Sequence, residues 1–308
     1  GSLSLEEFAV LMQHLDSDHW VGDKLADLLR AIDTNRNGCI EIDEFVAWLH
    51  DYDAESKMKL MEASASRLIE ADFDPDSQWR SVDGLFDDSS NPRVTFREAV
   101  TAFPDDLQTA VQSDAWLAQK FAKRKKGQTL IEKYPGLSID GAAAICLYTC
   151  ETPLYEFMNT KLRSKERNNP DFKAQFFPYI RMLVEALRTV AGEAPEKTVV
   201  TRGVPENLVK KYPDSFQEGE TLILWAFTSC TRKVSAVKDF LGPRGGGTMF
   251  QIHTSKGSRI QEFSAVDSEN EYLLPPGTAL AIDGILEVGG NLTLVQCSDE
   301  ADAPPLLK

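Results

Sequence analysis

Long apolar runs are missing from this chain of 308 residues. No stretch approaches the roughly 18 consecutive apolar residues that a membrane-crossing helix needs, so no membrane partner is expected. Basic charge is also short: 33 Lys and Arg stand against 48 Asp and Glu, a formal net charge of -15. That balance argues against a nucleic-acid groove and against adsorption to an anionic lipid surface. The five cysteines, Cys39, Cys146, Cys150, Cys230 and Cys297, are few, scattered and odd in number. They do not make a disulfide framework, and a reducing, cytoplasmic setting is the expectation. The four histidines show no zinc spacing, and Cys146 and Cys150 share a helix face without ligand partners, as small buried residues do. Gly245-Gly246-Gly247 lacks the Gly-Lys-Ser/Thr continuation of a phosphate loop and reads as a flexible hairpin or lid.

The length suffices for two domains, and a hydrophobic content of 42% is ordinary for a globular protein. Gly1-Ser2 reads as a cloning scar, so the chain is expected to be a piece of a longer protein. Residues 1–122 lean helical, with apolar residues at three- and four-residue spacing, as in Leu25/Leu28/Leu29/Ile32 and Phe45/Trp48/Leu49. Between those two runs lies Asp33–Glu44, which matches the twelve-residue EF-hand loop. Asp33, Asn35 and Asn37 fill positions 1, 3 and 5, and Gly38 takes the sharp turn. Cys39 at position 7 offers its carbonyl, Glu41 stands at position 9, and Glu44 closes position 12 as a bidentate ligand. Ca²⁺, a hard ion that takes six to eight oxygens, is the expected occupant. Leu3–Glu7 reads as the back end of a preceding hand, with Leu3 at position 8 and Glu7 at position 12; the 1–122 region is thus an all-α, EF-hand-like domain whose first hand is truncated. Asp87–Glu98 reads as a third, degenerate hand, because Pro92 sits where a positive φ is preferred.

The basic, aromatic-anchored stretch Trp116–Lys126 then reads as a final helix running into a solvated linker. A sharper reading docks it within the molecule on the acidic EF-hand lobe. Residues 123–300 form the second domain and 301–308 a tail. Helical patterns over 139–162 and 172–190 give way to short β-type runs over 197–201, 221–227, 248–253, 258–263, 271–274, 278–282 and 291–296, an α+β arrangement with mostly antiparallel strands. Three signatures fall on those strands in order: Val199–Val204 with Arg202 and Gly203, Ala226–Thr231 with Ser229, and Glu269-Asn270-Glu271 leading into Leu273-Leu274-Pro275-Pro276-Gly277. In extended backbone Glu269 and Glu271 share one face.

Taken together these residues resemble the R-S-E class of mono-ADP-ribosyltransferases, whose arginine-modifying members end in a Glu-x-Glu pair. The likeness extends to the helical lead-in through Tyr148-Thr149, Tyr155, Asn159 and Leu162-Arg163, and covers roughly residues 130–297. It departs in the middle signature, where Ser229-Cys230-Thr231 replaces the usual Ser-Thr-Ser. The resemblance implies a transferase fold of helical lead-in plus two packed, mostly antiparallel sheets, with NAD⁺ as co-substrate and an acceptor protein or small guanidino compound as partner. It also implies roles: Arg202 and Gly203 at the cofactor, Ser229 at the ribose or at Glu271, Glu271 beside the developing ribosyl cation, and Glu269 receiving the acceptor arginine. Two alternatives stay open, an NAD⁺ glycohydrolase with water as acceptor and a calcium-responsive binding module whose transferase domain is inert. The hand generates its own test: Glu44→Gln is expected to weaken Ca²⁺ binding more than about tenfold, measured by calorimetric titration. Equal affinity in both proteins would remove the calcium reading.

Overall fold

The computed structural model of the protein describes residues 2–4, 39–41, 81–150, 152–192, 196–232, 246–264, 271–289, 291–301, 303 and 306–308. By packing the chain divides into two units, 1–61 and 62–308. In the first, β1 (Ser2–Ser4) pairs antiparallel with β2 (Cys39–Glu41), with Leu3 opposite Ile40. Both residues stand at position 8 of their expected loops. The expected metal ligands Asp33, Asn35, Asn37 and Glu44 lie outside the described residues, as does Glu7 of the truncated hand, whereas Cys39 and Glu41 belong to β2.

In the second unit the expected third hand is absent. No helix enters it, since residues 83–91 run through turns and bends. Its oxygen donors are used locally. Asp87 accepts from the Ser89 hydroxyl (2.7 Å) and amide (2.9 Å), bonds that hold its carboxyl below the usual range. Buried Asn91 donates its side-chain amide to the carbonyls of Leu85 (2.7 Å) and Phe177 (3.2 Å). Glu98 closes a capping box with Thr95 at the start of α1 (Phe96–Thr101). Beneath the loop, the buried Arg181 guanidinium pairs with Asp88 (2.6 Å) and Glu185 (3.1 Å) and donates to the Asn91 carbonyl. Among the described residues no group of three or more His, Cys, Asp or Glu side chains is arranged to hold a metal ion. The loop is a clasp between chain segments.

Nor does packing break at 122/123. Leu107, Val111, Ala115, Ala118 and Ala122 of α2 (Asp105–Lys123) are buried in one core with α4 (Ile139–Tyr148) and α6 (Pro170–Ala191). The expected linker is a corner: Arg124, in extended backbone, ends α2, and α3 (Lys125–Lys133) starts directly after it. Gly127 is buried in that corner, where a Cβ would strike the backbone of Phe121 and Ala122. The glycine therefore marks a close approach and not a helix stop. Trp116 and Leu117 face outward, with the Lys120 ammonium 3.5 Å over the Trp116 ring. The lobe on which this stretch is expected to dock lies outside the described residues. No helix among the described residues is long and apolar enough to cross a membrane.

Helix ends follow local chemistry. Ser138 caps α4 by accepting from the Gly141 amide (2.9 Å). Asn169 caps α6, with Pro170 at its first position and Gly192 at φ +84° just beyond its end. The pattern over 139–162 splits at Pro153, which opens α5 (Pro153–Arg163).

The strands are β3 (Thr198–Val204), β4 (Thr221–Leu224), β5 (Thr228–Thr231), β6 (Gly247–Thr254), β7 (Ser258–Arg259), β8 (Glu271–Leu274), β9 (Thr278–Gly289) and β10 (Leu292–Asp299). Their order is β4-β9-β10-β6-β3-β5-β8-β7, and every pairing is antiparallel except β10 with β6. The two separate sheets that the resemblance implies are thus one hydrogen-bonded ladder, pinched between β3 and β5, where only Thr201 and Thr231 pair. The ladder folds over at that pinch. Cys230 and Leu274 from one side share a core with Val200, Leu222, Phe250, Ile252, Leu280 and Val295 from the other. The opposite face of β5 and β8 presents Leu273, with Phe227 just before β5, to the helices.

Replacing Asn91 by alanine strands two carbonyls and is expected to cost about 1–3 kcal/mol of stability, seen as a lower Tm. A chelator-dependent Tm shift that is kept in Glu44→Gln and lost in Asn91→Ala would restore the metal reading of this loop.

Candidate active site

Arg202, Ser229 and Glu271 come from three neighbouring strands and meet at the pinch. On β5 and β8 the register sets Thr231 opposite Glu271 and Ser229 opposite Leu273, so Ser229 and Glu271 are diagonal neighbours on one face. A glutamate is long enough to close that diagonal, and the Ser229 hydroxyl donates to Glu271 Oε1 at 2.7 Å. A short O–H···O⁻ bond of this kind is among the stronger ones because its acceptor is charged. From β3, the Arg202 guanidinium donates to the Ser229 carbonyl at 2.9 Å. It acts where the β3–β5 ladder has a single residue pair, so a side chain supplies part of the hold that backbone bonds provide elsewhere. Ser229 is exposed and Arg202 and Glu271 are half-buried, which leaves this corner open to a ligand. Gly203 follows Arg202 on β3, opposite Met249 of β6. Glu269 lies outside the described residues.

The strands differ in detail from the sequence pattern. β3 continues two residues past Arg202, and Ser229 lies inside a new strand instead of closing the one before it. Asn159 of α5 holds the chain between the two strands. Its side chain accepts from the Phe227 amide (3.2 Å) and donates to the Phe227 carbonyl (3.5 Å). Both backbone groups of Phe227 are thereby taken by a helix, in the stretch between the end of β4 at Leu224 and the start of β5 at Thr228. Asn159 also donates to the Tyr148 hydroxyl at 3.2 Å, and the Tyr148 ring lies 5.3 Å from that of Phe227. Burial pushes the Tyr148 phenol well above its ordinary range, with the Glu271 carboxylate adding to the rise, so it stays neutral. This clamp is legible only as an asparagine on an otherwise apolar helix face; its role needs the structure.

The departure at Cys230 is benign. Its side chain points away from Ser229 into the core, and burial pushes the thiol up to about 12, so it carries no thiolate at neutral pH. A second arrangement that the sequence does not reveal lies just upstream of the Glu-x-Glu segment. Glu262, in the 3-10 turn Gln261–Phe263, accepts from Lys133 (2.6 Å) and from the Tyr134 hydroxyl (2.9 Å). The expected strand over 258–263 therefore ends at Arg259.

Comparison with known proteins fits this geometry. The family model described as NAD:arginine ADP-ribosyltransferase matches residues 86–295. A chicken (Gallus gallus) protein named NAD(P)(+)--arginine ADP-ribosyltransferase 1 is 26% identical over 181 residues, covering 58% of this chain and 54% of its own length. A rabbit (Oryctolagus cuniculus) protein named GPI-linked NAD(P)(+)--arginine ADP-ribosyltransferase 1 is 30% identical over 145 residues, covering 46% of this chain and 42% of its own. The chain thus spans about half the length of these relatives. In fold it is similar to the crystal structure of ADP-ribosyltransferase HopU1 of Pseudomonas syringae, at TM-score 0.51 and 23% identity, over 60% of this chain and 86% of that one. The type III effector XopAI from Xanthomonas axonopodis superposes at TM-score 0.50 and 17% identity, over 81% of this chain and 94% of its own.

The clamp and the hydroxyl are separable by thermal denaturation. Asn159→Ala, which orphans buried backbone groups, is expected to cost about 1–3 kcal/mol. Ser229→Ala, at an exposed position, should stay within about 0.5 kcal/mol of the unaltered protein.

Proposed function

The chain belongs to the NAD:arginine ADP-ribosyltransferase family, and on that premise we propose that it moves ADP-ribose from NAD⁺ to an arginine side chain with release of nicotinamide. The observation that carries the reading is the Ser229–Glu271 hydrogen bond of 2.7 Å, built on a carbonyl held by Arg202. The reaction breaks the bond between the ribose anomeric carbon and the nicotinamide nitrogen. The electron pair leaves with nicotinamide, which becomes neutral, and the ribose becomes oxocarbenium-like. A carboxylate already fixed in place stabilises that charge without reorganising. Glu271 takes this role, next to the ribose 2′-OH, with its rotamer set by Ser229. Arg202 faces the cofactor's phosphates, since a forked cation suits oxyanions.

The acceptor guanidinium is cationic at neutral pH and a poor nucleophile. Glu269, two residues before Glu271, binds it, aims one nitrogen at the anomeric carbon and takes the proton displaced when the new bond forms. The regulatory part of the proposal is a Ca²⁺-binding hand over Asp33–Glu44; the donor spacing supports it, as does the pairing of Leu3 with Ile40.

The test is NAD⁺ turnover with and without agmatine, read by mass detection. Glu271→Gln is expected to lower both hydrolysis and transfer roughly 100- to 1000-fold. Glu269→Gln is expected to lower transfer at least about 100-fold while hydrolysis persists. Equal loss of both activities in the Glu269 variant contradicts the division of roles. ADP-ribose and nicotinamide with no agmatine adduct would make the protein a glycohydrolase, and no turnover at all would make it a binding module.

A further inference from the structure

We infer that the outward face of the corner between α2 and α3 is a docking surface for an anionic phospholipid bilayer. The inference goes beyond the transferase reading and does not rest on it. Lys120, Lys123, Arg124, Lys125 and Lys126 put five cations into seven residues, and all five are exposed. Among the described residues none of them pairs with a carboxylate, although the chain carries 48 acids against 33 basic residues.

Helix geometry sets apolar groups among these charges. Val111, Ala115, Ala118 and Ala122 are buried in the core, so the opposite side of α2 faces out. Lys120 lies near the middle of that side, with Trp116 one turn before it and Leu117 next to Trp116. Both are large apolar side chains left open, Trp116 at 54% and Leu117 at 52% exposure. Lys123 follows on the same side. The close approach of Gly127 to Phe121 and Ala122 sets the first turn of α3 against the last turn of α2, so Lys125 and Lys126 stand close to Lys123. Folding does not account for all of these cations. Lys120 and Lys123 suit the C-terminal end of α2, but Lys125 and Lys126 open α3, where the helix dipole disfavours positive charge. No acidic residue stands in that first turn to offset them. An external anion removes the conflict.

The form of the surface selects the partner. A protein groove that receives a basic amphipathic helix grips its apolar side. In α2 that side is already buried, and what remains is a charged outward face with two apolar side chains. A bilayer needs no groove: tryptophan and leucine enter the headgroup region while lysine and arginine reach the phosphates. One face of the Trp116 ring is taken by the Lys120 ammonium, at 3.5 Å, where a nucleic-acid base would stack. The whole-chain charge of -15 does not forbid docking. Salt screens exposed charges beyond about 10 Å at 0.1 M, and α2 is about 28 Å long, with Asp105 and Asp106 at its opposite end. Asp114, half-buried, is the remaining acid on α2. The corner therefore meets a bilayer with its own charge and not with the average of the molecule.

Co-sedimentation with vesicles, chelator present, tests the inference. Vesicles of pure phosphatidylcholine are compared with vesicles containing about 30% phosphatidylserine. Binding is expected only to the second kind, falling at least about tenfold between about 0.05 and about 0.3 M salt. Each basic residue near such a surface contributes about fivefold in partitioning, so Lys123→Glu with Lys125→Glu is expected to lower binding at least about 25-fold. Trp116→Ser should lower it about three- to tenfold. The Tm of the charge-reversed variant should hold or rise, since Lys125→Glu suits the start of α3, and lost binding is then not lost folding. No binding of the unaltered protein to the anionic vesicles overturns the inference, as does equal binding by the charge-reversed variant. Capture by RNA or by polyglutamate without capture by vesicles also overturns it.

Discussion

The contact on which the site depends is the one between Arg202 and the Ser229 carbonyl, at the place where the sheet is weakest. Seven strand pairings join the eight strands, and the one between β3 and β5 consists of a single residue pair. A sheet that folds over on itself must interrupt its ladder somewhere, and the interruption exposes backbone groups that need partners. Here a guanidinium bridges the gap. The same bond sets the carbonyl of the residue whose hydroxyl orients Glu271, so the bend in the sheet and the geometry of the carboxylate have one common support.

Helices reach the site through backbone. Asn159 takes both the amide and the carbonyl of Phe227, just before β5 begins and two residues ahead of Ser229. Buried amide groups that find both partners act as rigid joints, since losing either bond leaves an unpaired group in a dry environment. Trp225, also fully buried, packs its ring under the Arg167 guanidinium at 4.0 Å. Glu271 is therefore set by helix α5 through strand β5, two steps removed.

Much of this was legible in the residues. Arg202, Ser229 and Glu271 announce themselves as three signatures in order, and the structure brings them together. Secondary structure was legible where one periodicity runs without interruption, as in α6, and failed where a side chain overrides it. The run over 258–263 has strand character, yet Glu262 is pulled onto Lys133 and Tyr134 and the chain turns. The segment Asp87–Glu98 has the oxygen donors of a metal loop, yet Asp87 and Glu98 satisfy local backbone and hydroxyl groups and Asn91 ties down two carbonyls. In both cases residue type and spacing were read correctly and the partner was not, because the partner of a polar side chain lies at a distance that sequence order does not encode. Gly127 is the converse: it stands where a linker is expected and is a close contact between two helices.

Charge supplies the last constraint. The chain carries a formal net charge of -15, a field that attracts a cationic acceptor and repels a dinucleotide with its pyrophosphate. A site that is to bind both requires that the sign of the potential change over a short distance inside it. Arg163, buried at the end of α5, and Arg202 both lie close enough to Tyr148 to act electrostatically on its phenol, as does Glu271. Field strength falls steeply with separation in water and much less across a dry interior, so a buried arginine acts on that local region more than many surface carboxylates do. An acidic surface favours the approach of a cationic group, while buried and half-buried arginines favour an anion held within it.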